Sequence, residues 1–484
     1  MSSLKEKSLK GLFWDFSGRI GLQGVGFVVS IVLARLLAPE EFGLLAIITV
    51  FINLASVFLD FGFSTALIQK QDVREEHFSA VFYLNVVMGL LLAAIVFFLA
   101  PLIGRFYEKE ILLNITRLMA IGIFISSFGQ VMRARLRRDM NFRPISLATI
   151  YAAIISGIIA MAMAWKGLGV WSLAVQSVVL QFLTVIFLYL MCKLKINFRF
   201  SRSALSELWP FSSRLFFSGL LDTIFFNLDA LIIGKLLSPA TLGYYHRAKS
   251  LESFGFRYTA STIASVLLPG LSSLQNDPVK FREAVMKVFH ILSFVSFLMC
   301  GLFLVGGREI IILLFSAKWE PSVIMFQILI AGAFATQGFS LFYNVLLSTG
   351  QSRKYLAINI INKGLLFINF GLLFFLGLNE YLIGFIIIQI FVYFLGMYKA
   401  SKQIGMKLEL FFLSFRNILI FILATSITLL GKSLVGIENL VINLSLSVVL
   451  YSCLFLILTR LINNEGLLST RLELSGLSRK FLKR

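Results

Sequence analysis

The sequence predicts an all-α polytopic membrane protein of about fourteen transmembrane helices: two pseudo-symmetric six-helix lobes plus two C-terminal helices. Three observations predict it. Of 484 residues, 58% are hydrophobic and 14% charged, whereas soluble domains carry roughly 25% charged residues. About fourteen stretches reach the roughly 20 apolar residues that a spanning helix needs, which leaves no room for a soluble domain. A signature also recurs at an offset of about two hundred residues: Val32-Leu-Ala-Arg35-Leu-Leu-Ala-Pro39 with Gly43, then Ile232-Ile-Gly-Lys235-Leu-Leu-Ser-Pro239 with Gly243. In each copy an apolar helix ends in one basic residue, turns at a proline it cannot continue through, and restarts near a glycine.

The first span is expected over residues 12–37. A basic segment holding Lys5, Lys7 and Lys10 precedes it, as in a signal peptide. Asp15 and Arg19 interrupt its apolar run, however, and no small-residue cleavage site precedes Pro39, so it reads as a retained span. Apolar runs bounded by charged residues, proline or glycine place the next five spans at 43–68, 78–104, 113–134, 144–165 and 168–192. The longest inner link, Lys193 to Trp209, then separates the two copies of the signature and is the expected lobe boundary. Spans seven to twelve follow at 209–236, 242–270, 285–305, 322–347, 355–377 and 380–400, and the last two at 411–431 and 438–462. The expected organisation is an N-lobe over 1–200, a C-lobe over 201–405, and residues 406–484 as two extra helices with a basic tail.

An even number of crossings puts both termini on one side. With the N-terminus cytoplasmic, the inner links collect Arg133, Arg135, Arg137, Arg138 and Arg143, then Lys280, Arg282, Lys287, Arg353, Lys354, Lys399 and Lys402, and the tail ends in Lys483-Arg484. The outer loops hold few basic residues, among them Arg35, Lys109, Lys235 and Lys432. The positive-inside rule therefore predicts both termini in the cytoplasm of a bacterial cell, with the chain in its cytoplasmic (inner) membrane. Topology accounts for the net charge of +20, so no nucleic-acid partner is expected. Cys192, Cys300 and Cys453 fall in apolar stretches without ligand spacing, and His77, His246 and His290 are scattered. No metal site and no cofactor are expected. Gly431-Lys432-Ser433 lacks the earlier glycine of a phosphate loop and follows a membrane helix, so no ATP site is read there.

Three stretches carry a likeness: Leu37-Ala-Pro-Glu-Glu-Phe-Gly-Leu44; Asp60-Phe-Gly-Phe-Ser-Thr-Ala-Leu-Ile-Gln69 with Glu75-Glu76; and Leu242-Gly-Tyr-Tyr-His-Arg-Ala248. In their order and spacing the chain resembles the Wzx-type polysaccharide flippases, colanic-acid-exporter branch, of the multidrug/oligosaccharidyl-lipid/polysaccharide (MOP) exporter superfamily. The resemblance covers about the first two-thirds of the chain, and the last two spans match in hydropathy only. It implies a MATE/MOP-like fold of two six-helix lobes about a central cavity. It also implies an undecaprenyl-diphosphate-linked oligosaccharide carried from the cytoplasmic to the periplasmic leaflet, for exopolysaccharide or lipopolysaccharide biosynthesis, with the polysaccharide polymerase and chain-length machinery as partners.

Charged side chains at mid-bilayer cost about 2.5–3.5 kcal/mol on insertion scales, so each must face a cavity or a partner. On the first span Asp15 and Arg19 lie four residues apart on one face, with Gln23 about a turn further on, and the two charges can also neutralise each other. On the seventh, Arg214, Ser218 and Asp222 step along one side, with Asp229 two turns beyond. The eighth carries Arg247, Lys249, Glu252 and Arg257; Lys249 and Glu252 can pair, and Arg257 lies nearest the bilayer middle. Lys363 on the eleventh can face the cavity or snorkel to the interface. Arginine's fixed fork suits a diphosphate or an acidic sugar. Arg19, Gln23, Arg214, Arg247, Arg257 and Lys363 are the candidate substrate contacts. Asp15, Asp222, Asp229 and Glu252 are candidates either to neutralise arginines or to bind a coupling ion. Tyr244 and Tyr245 read as interfacial belt residues, or as a platform for sugar rings.

Two other function classes were weighed. A membrane glycan polymerase or acyltransferase needs a general base or a large extramembrane loop, and the chain offers neither. A MATE-like multidrug or cation antiporter calls for a cavity dominated by acids, against which the several intramembrane arginines argue.

Overall fold

The computed structural model describes residues 2–192, 200–406 and 409–462, with the side chains of all but 2–10, 12, 257–266 and 269. Regular structure among them is entirely helical. In order the helices are α1 (Ser2–Leu36), α2 (Pro39–Asp60), α3 (Phe63–Gln69), α4 (Glu75–Phe106), α5 (Ile111–Arg138), α6 (Arg143–Trp165), α7 (Val170–Met191) and α8 (Arg202–Leu236). They continue as α9 (Pro239–Ser273), α10 (Pro278–Phe315), α11 (Ser322–Ser348), α12 (Ser352–Phe375), α13 (Leu378–Ile404), α14 (Glu409–Val435) and α15 (Leu440–Ile462), with a 3-10 turn at Ala317–Trp319. Thirteen are long and apolar enough to cross a membrane. The remaining long helix, α9, occupies the position of the predicted span 242–270, and part of it lies outside the described side chains.

Hydropathy places these helices well and their ends poorly. The run 43–68, expected as one span, breaks after Asp60: Phe61 (φ 47°) and Gly62 (φ 77°) both take the left-handed conformation, and α3 starts afresh. The Asp60 carboxylate accepts the Ser64 backbone N–H at 3.2 Å and thereby holds the restart. Helices also overrun the hydrocarbon length. α10 extends to 38 residues against the 285–305 read from hydropathy, because polar residues keep the backbone ladder going and Asp277 caps it by accepting the Lys280 N–H at 3.2 Å.

The chain forms two compact units, Met1–His246 and Arg247–Arg484. In the first, α4 pairs with α5, α6 with α7, and α1 with α6. The α1–α6 seam is close because its residues are small: a Cβ on Gly18 would sit 2.5 Å from Ser146 Cβ, and the Ser146 hydroxyl donates to the Trp14 carbonyl at 2.7 Å. Lipid offers no hydrophobic drive to associate, so close packing and such bonds supply the attraction.

In the second unit α10 is the hub, with α11, α14 and α15 packed on it. The last two helices are thus bound into this unit. Tyr451 of α15 is fully buried; its hydroxyl donates to the Phe297 carbonyl at 2.9 Å, and its ring fills the space a side chain at Gly301 would need, 1.9 Å from a built Cβ. Lys432, at the other end of α14, donates to the buried Glu309 carboxylate at 2.8 Å and to the Val305 carbonyl at 2.9 Å. The Gly-Lys-Ser triplet therefore holds a structural lysine, paired to an acid 123 positions away. Tyr451→Phe should lower stability by about 1 kcal/mol, one hydrogen bond. Gly301→Ala should cost more, about 1–3 kcal/mol of overpacking; thermal unfolding of the purified protein in detergent checks both.

Candidate functional site

Within Met1–His246, α2 and α8 run antiparallel and form a seam. It extends from Ile47 against Gly234 to the backbone of Gly62 against Ser212. At its middle a wide-open cavity of about 440 Å³ is lined by Asn53 and Ser56 of α2 and by Asp222, Thr223, Phe226 and Asn227 of α8, with Asn53, Ser56, Asp222 and Phe226 exposed. Polar side chains so deep in apolar helices bond to one another or to backbone. Asn53 Nδ2 donates to Asn227 Oδ1 at 3.2 Å, and Asn227 Nδ2 donates to the Thr223 carbonyl at 2.8 Å.

One end of the seam is closed by the two copies of the repeated signature. A Cβ on Gly43 would lie 1.7 Å from the Pro239 carbonyl oxygen, and one on Gly243 would lie 1.9 Å from that of Pro39. The contact is reciprocal, as a two-fold arrangement of duplicated elements requires, and only glycine admits it. The turn between α4 and α5 straps this end. Lys109 pairs with Glu40 at 2.9 Å, Glu108 with Lys235 at 3.1 Å, and the Tyr107 hydroxyl donates to the Leu231 carbonyl at 3.3 Å. The strap thereby holds one residue from each copy.

The other end is closed by aromatics and a charge cluster. The left-handed turn after α2 lays Phe61 flat on Phe216, with centroids 3.9 Å apart, and on Trp209 at 5.1 Å. Beyond them, the Glu207 carboxylate of α8 receives Lys70 at 2.7 Å, His77 Nε2 at 3.2 Å and Arg74 at 3.5 Å. His77 is fully buried. Its Nδ1 accepts the Arg74 backbone N–H at 3.2 Å, so Nε2 carries the proton and donates to Glu207.

The sequence-predicted residues fall in several places. Asp222 lines the cavity, while Arg214 is exposed two turns away on the same face of α8. Asp15 and Arg19 form their helical pair at 2.9 Å, with 69% of the Arg19 side chain exposed, and Gln23 is half-buried on the same helix. Asp229 is buried and accepts a hydrogen bond from the Tyr245 hydroxyl. Tyr245, expected at the interface, is 4% exposed: its phenol is drawn inward by a buried carboxylate, which is the correction to that reading. In the second unit Arg247 is 6% exposed, its guanidinium over the rings of Phe315 at 4.6 Å and Trp319 at 4.8 Å, which meet edge to face and form an aromatic corner for the cation. Glu252 and Lys363 are half-buried. The side chain of Arg257 lies outside the described residues. Among the described residues, no group of three or more metal-ligating side chains is assembled.

Sequence reasoning missed Asn53, Asn227 and Glu207. The two asparagines had a signal, neutral amides at the centre of apolar runs, of which the sequence reading took up Gln23 alone. Glu207 had none, because its three partners come from another part of the chain.

A helical membrane protein with a polar seam inside apolar helices, closed at both ends and built from a duplicated element, has the architecture of a transporter rather than of an enzyme. Residues 32–324, more than half of the chain, match the family described as "Polysaccharide biosynthesis protein", and the protein belongs to that family. The chain is 25% identical over 334 residues to the lipopolysaccharide biosynthesis protein WzxC of Escherichia coli strain K12, covering 68% of this chain and 67% of that one. It is 25% identical over 307 residues to the succinoglycan biosynthesis transport protein ExoT of Rhizobium meliloti strain 1021, covering 63% and 62%. Among solved structures it is similar to the lipid II flippase MurJ in an inward closed conformation, with a TM-score of 0.70 over 93% of this chain and 99% of that one. At 14% identity that likeness shows the fold alone.

Proposed function

We propose that the protein is a flippase carrying undecaprenyl-diphosphate-linked oligosaccharide repeat units from the cytoplasmic to the periplasmic leaflet of the bacterial inner membrane, for exopolysaccharide or lipopolysaccharide biosynthesis. The observation that carries this reading is the α2–α8 seam, whose polar cavity is closed at one end by a glycine contact and at the other by an ion cluster. Two closures of different chemistry can open in turn, which is what alternating access requires. The roles of the related WzxC and ExoT, in lipopolysaccharide biosynthesis and succinoglycan transport, favour a glycan cargo. The basic inner links favour cytoplasmic termini, which makes the Glu207 end cytoplasmic and the Gly43 end periplasmic.

In this reading the moving bodies are the lobes over 1–200 and 201–405. Arg19, Gln23, Arg214, Arg257 and Lys363 meet the diphosphate or acidic sugars, and Arg247 adds its charge from beside its two rings. Asp15, Asp222, Asp229 and Glu252 balance those cations in the empty carrier, and Asp222, which lines the cavity, is the one placed to take up a coupling ion.

Deletion should trap lipid-linked repeat units in the cytoplasmic leaflet. Arg214→Gln, at an exposed position, should reduce export about tenfold at unchanged protein level, the effect of losing one charge-assisted contact to phosphate. Normal export in both Arg214→Gln and Arg257→Gln would discard the arginine assignment, and drug sensitivity without glycan accumulation would favour an extruder. Export that persists after the proton and sodium gradients are collapsed separately would remove the coupling role of Asp222.

A further inference from the structure

In the second unit, the link from α9 to α10, the α11–α12 turn and the C-terminal end of α13 enclose a cleft of about 500 Å³. Gln275, Asn276, Arg282, Thr349, Lys402 and Gln403 are among its lining residues, and among the described residues no carboxylate lines it. Lys354 adds a third cation at the edge, donating to Gln403 Oε1 at 3.0 Å. Asp277, next to Asn276 in sequence, is already engaged: it caps α10 and pairs with Lys280 at 2.9 Å. Glu283 follows Arg282 on α10, and successive helix residues do not face each other.

The two lining cations are not compensated. Among the described residues Lys402 has no ion pair. Arg282 uses only Nε, donating to the Ile404 carbonyl. One terminal nitrogen of its guanidinium sits against Gly405 (φ 74°), 2.3 Å from where a Cβ would stand. Arg282 is thus fixed in place by capping α13, and the donors on its terminal nitrogens remain for another acceptor. A fixed guanidinium, an ammonium without an ion pair among the described residues, and side-chain amides describe a site for a multiply accepting anion. The volume falls within the range of small-molecule sites, large enough for a phosphate with a glycerol-sized substituent.

We propose that this cleft binds a phosphate ester, separately from any cargo site. It lies at the side of the membrane that the basic links assign to the cytoplasm, so the ester can come from an anionic phospholipid headgroup of that leaflet or from a free phosphate compound. The test uses the full-length protein with Cys453→Ser, since Cys192 and Cys300 are buried, and a reporter Gln275→Cys at the exposed mouth. In nanodiscs, the rate of labelling by a water-soluble maleimide is compared between phosphatidylcholine alone and phosphatidylcholine with phosphatidylglycerol, and with millimolar glycerol 3-phosphate added to the former. The expected result is labelling slowed about threefold or more by an occupied cleft, with the protection lost in Lys402→Gln. Protection by phosphatidylglycerol alone makes the ligand a lipid headgroup, and protection by glycerol 3-phosphate makes it a free phosphate ester. Arg282→Gln is a second arm, in which lost protection at an unchanged melting temperature counts the same way. Absence of protection from either source, or protection surviving in both variants, overturns the proposal.

Discussion

Gly43→Val is expected to abolish export and to leave the protein with its Gly43 end open. The atom in the way is the Pro239 carbonyl oxygen, 1.7 Å from where a Cβ would stand. This oxygen belongs to the first turn of α9 and cannot swing aside as a side chain would. The two helix starts must therefore separate, and the cheapest separation is the one the transport cycle already uses. Gly243→Val should give the same phenotype independently, since its Cβ meets Pro39 in the mirror relation. Gly24→Val is the control, because nothing lies within 4 Å of a Cβ there. Opening can be read directly at Ile47, which is fully buried against Gly234. In cells, Ile47→Cys should be inert to an impermeant maleimide and should label about tenfold faster or more once combined with Gly43→Val, as overpacking of about 1–3 kcal/mol shifts the populations. Unchanged labelling together with normal export would remove the glycine contact from the gating scheme.

The same signature explains what was legible in the sequence. Pro39, Pro239, Gly43 and Gly243 announced a duplicated helix–turn–helix, because proline and glycine act on the backbone locally. Nothing local said that the two copies would touch each other, since contact between segments two hundred positions apart has no periodicity to read. The all-α fold was legible because each span satisfies its own backbone and hydropathy reports it. The break at Phe61–Gly62 was hidden because hydropathy is blind to φ, and that run stays apolar straight through the turn. Charge attracted attention to Arg247, Asp229 and Asp222, yet these three meet different fates: one against two aromatic rings, one against Tyr245, one at a cavity. Residue type gave the cost of burial and could not give the partner. Glu309 with Lys432 makes the same point, for the lysine reads in the sequence as an outer-loop cation and the acid goes unmarked, yet together they anchor α14 to α10.

Glu207→Lys should weaken the opposite closure, and Lys70→Glu in the same chain should restore it. Among the described residues Glu207 is the acid that Lys70, Arg74 and the proton on His77 Nε2 share, so reversing its charge replaces two attractions by repulsion and loses a hydrogen bond between α8 and the α3–α4 turn. Isolated exposed pairs contribute little, but here three donors converge on one carboxylate, and one of them, His77, is buried and held by its own backbone bond. The readout is Ser212→Cys, at a fully buried position beneath the Gly62 backbone. In inside-out vesicles it should label about tenfold faster in Glu207→Lys than in the parent, the size expected of like charges forced together. Export should fall, because a carrier biased toward one opening spends too little time in the other. The double variant Lys70→Glu with Glu207→Lys recreates one opposite pair across the same gap, and should bring labelling and export back toward the parent. A melting temperature unchanged in Glu207→Lys while its labelling rises separates a latch from a folding defect, since the charge swap would restore either one. Equal labelling in parent and Glu207→Lys would leave the aromatic stack of Phe61, Phe216 and Trp209 as the sole closure of that end.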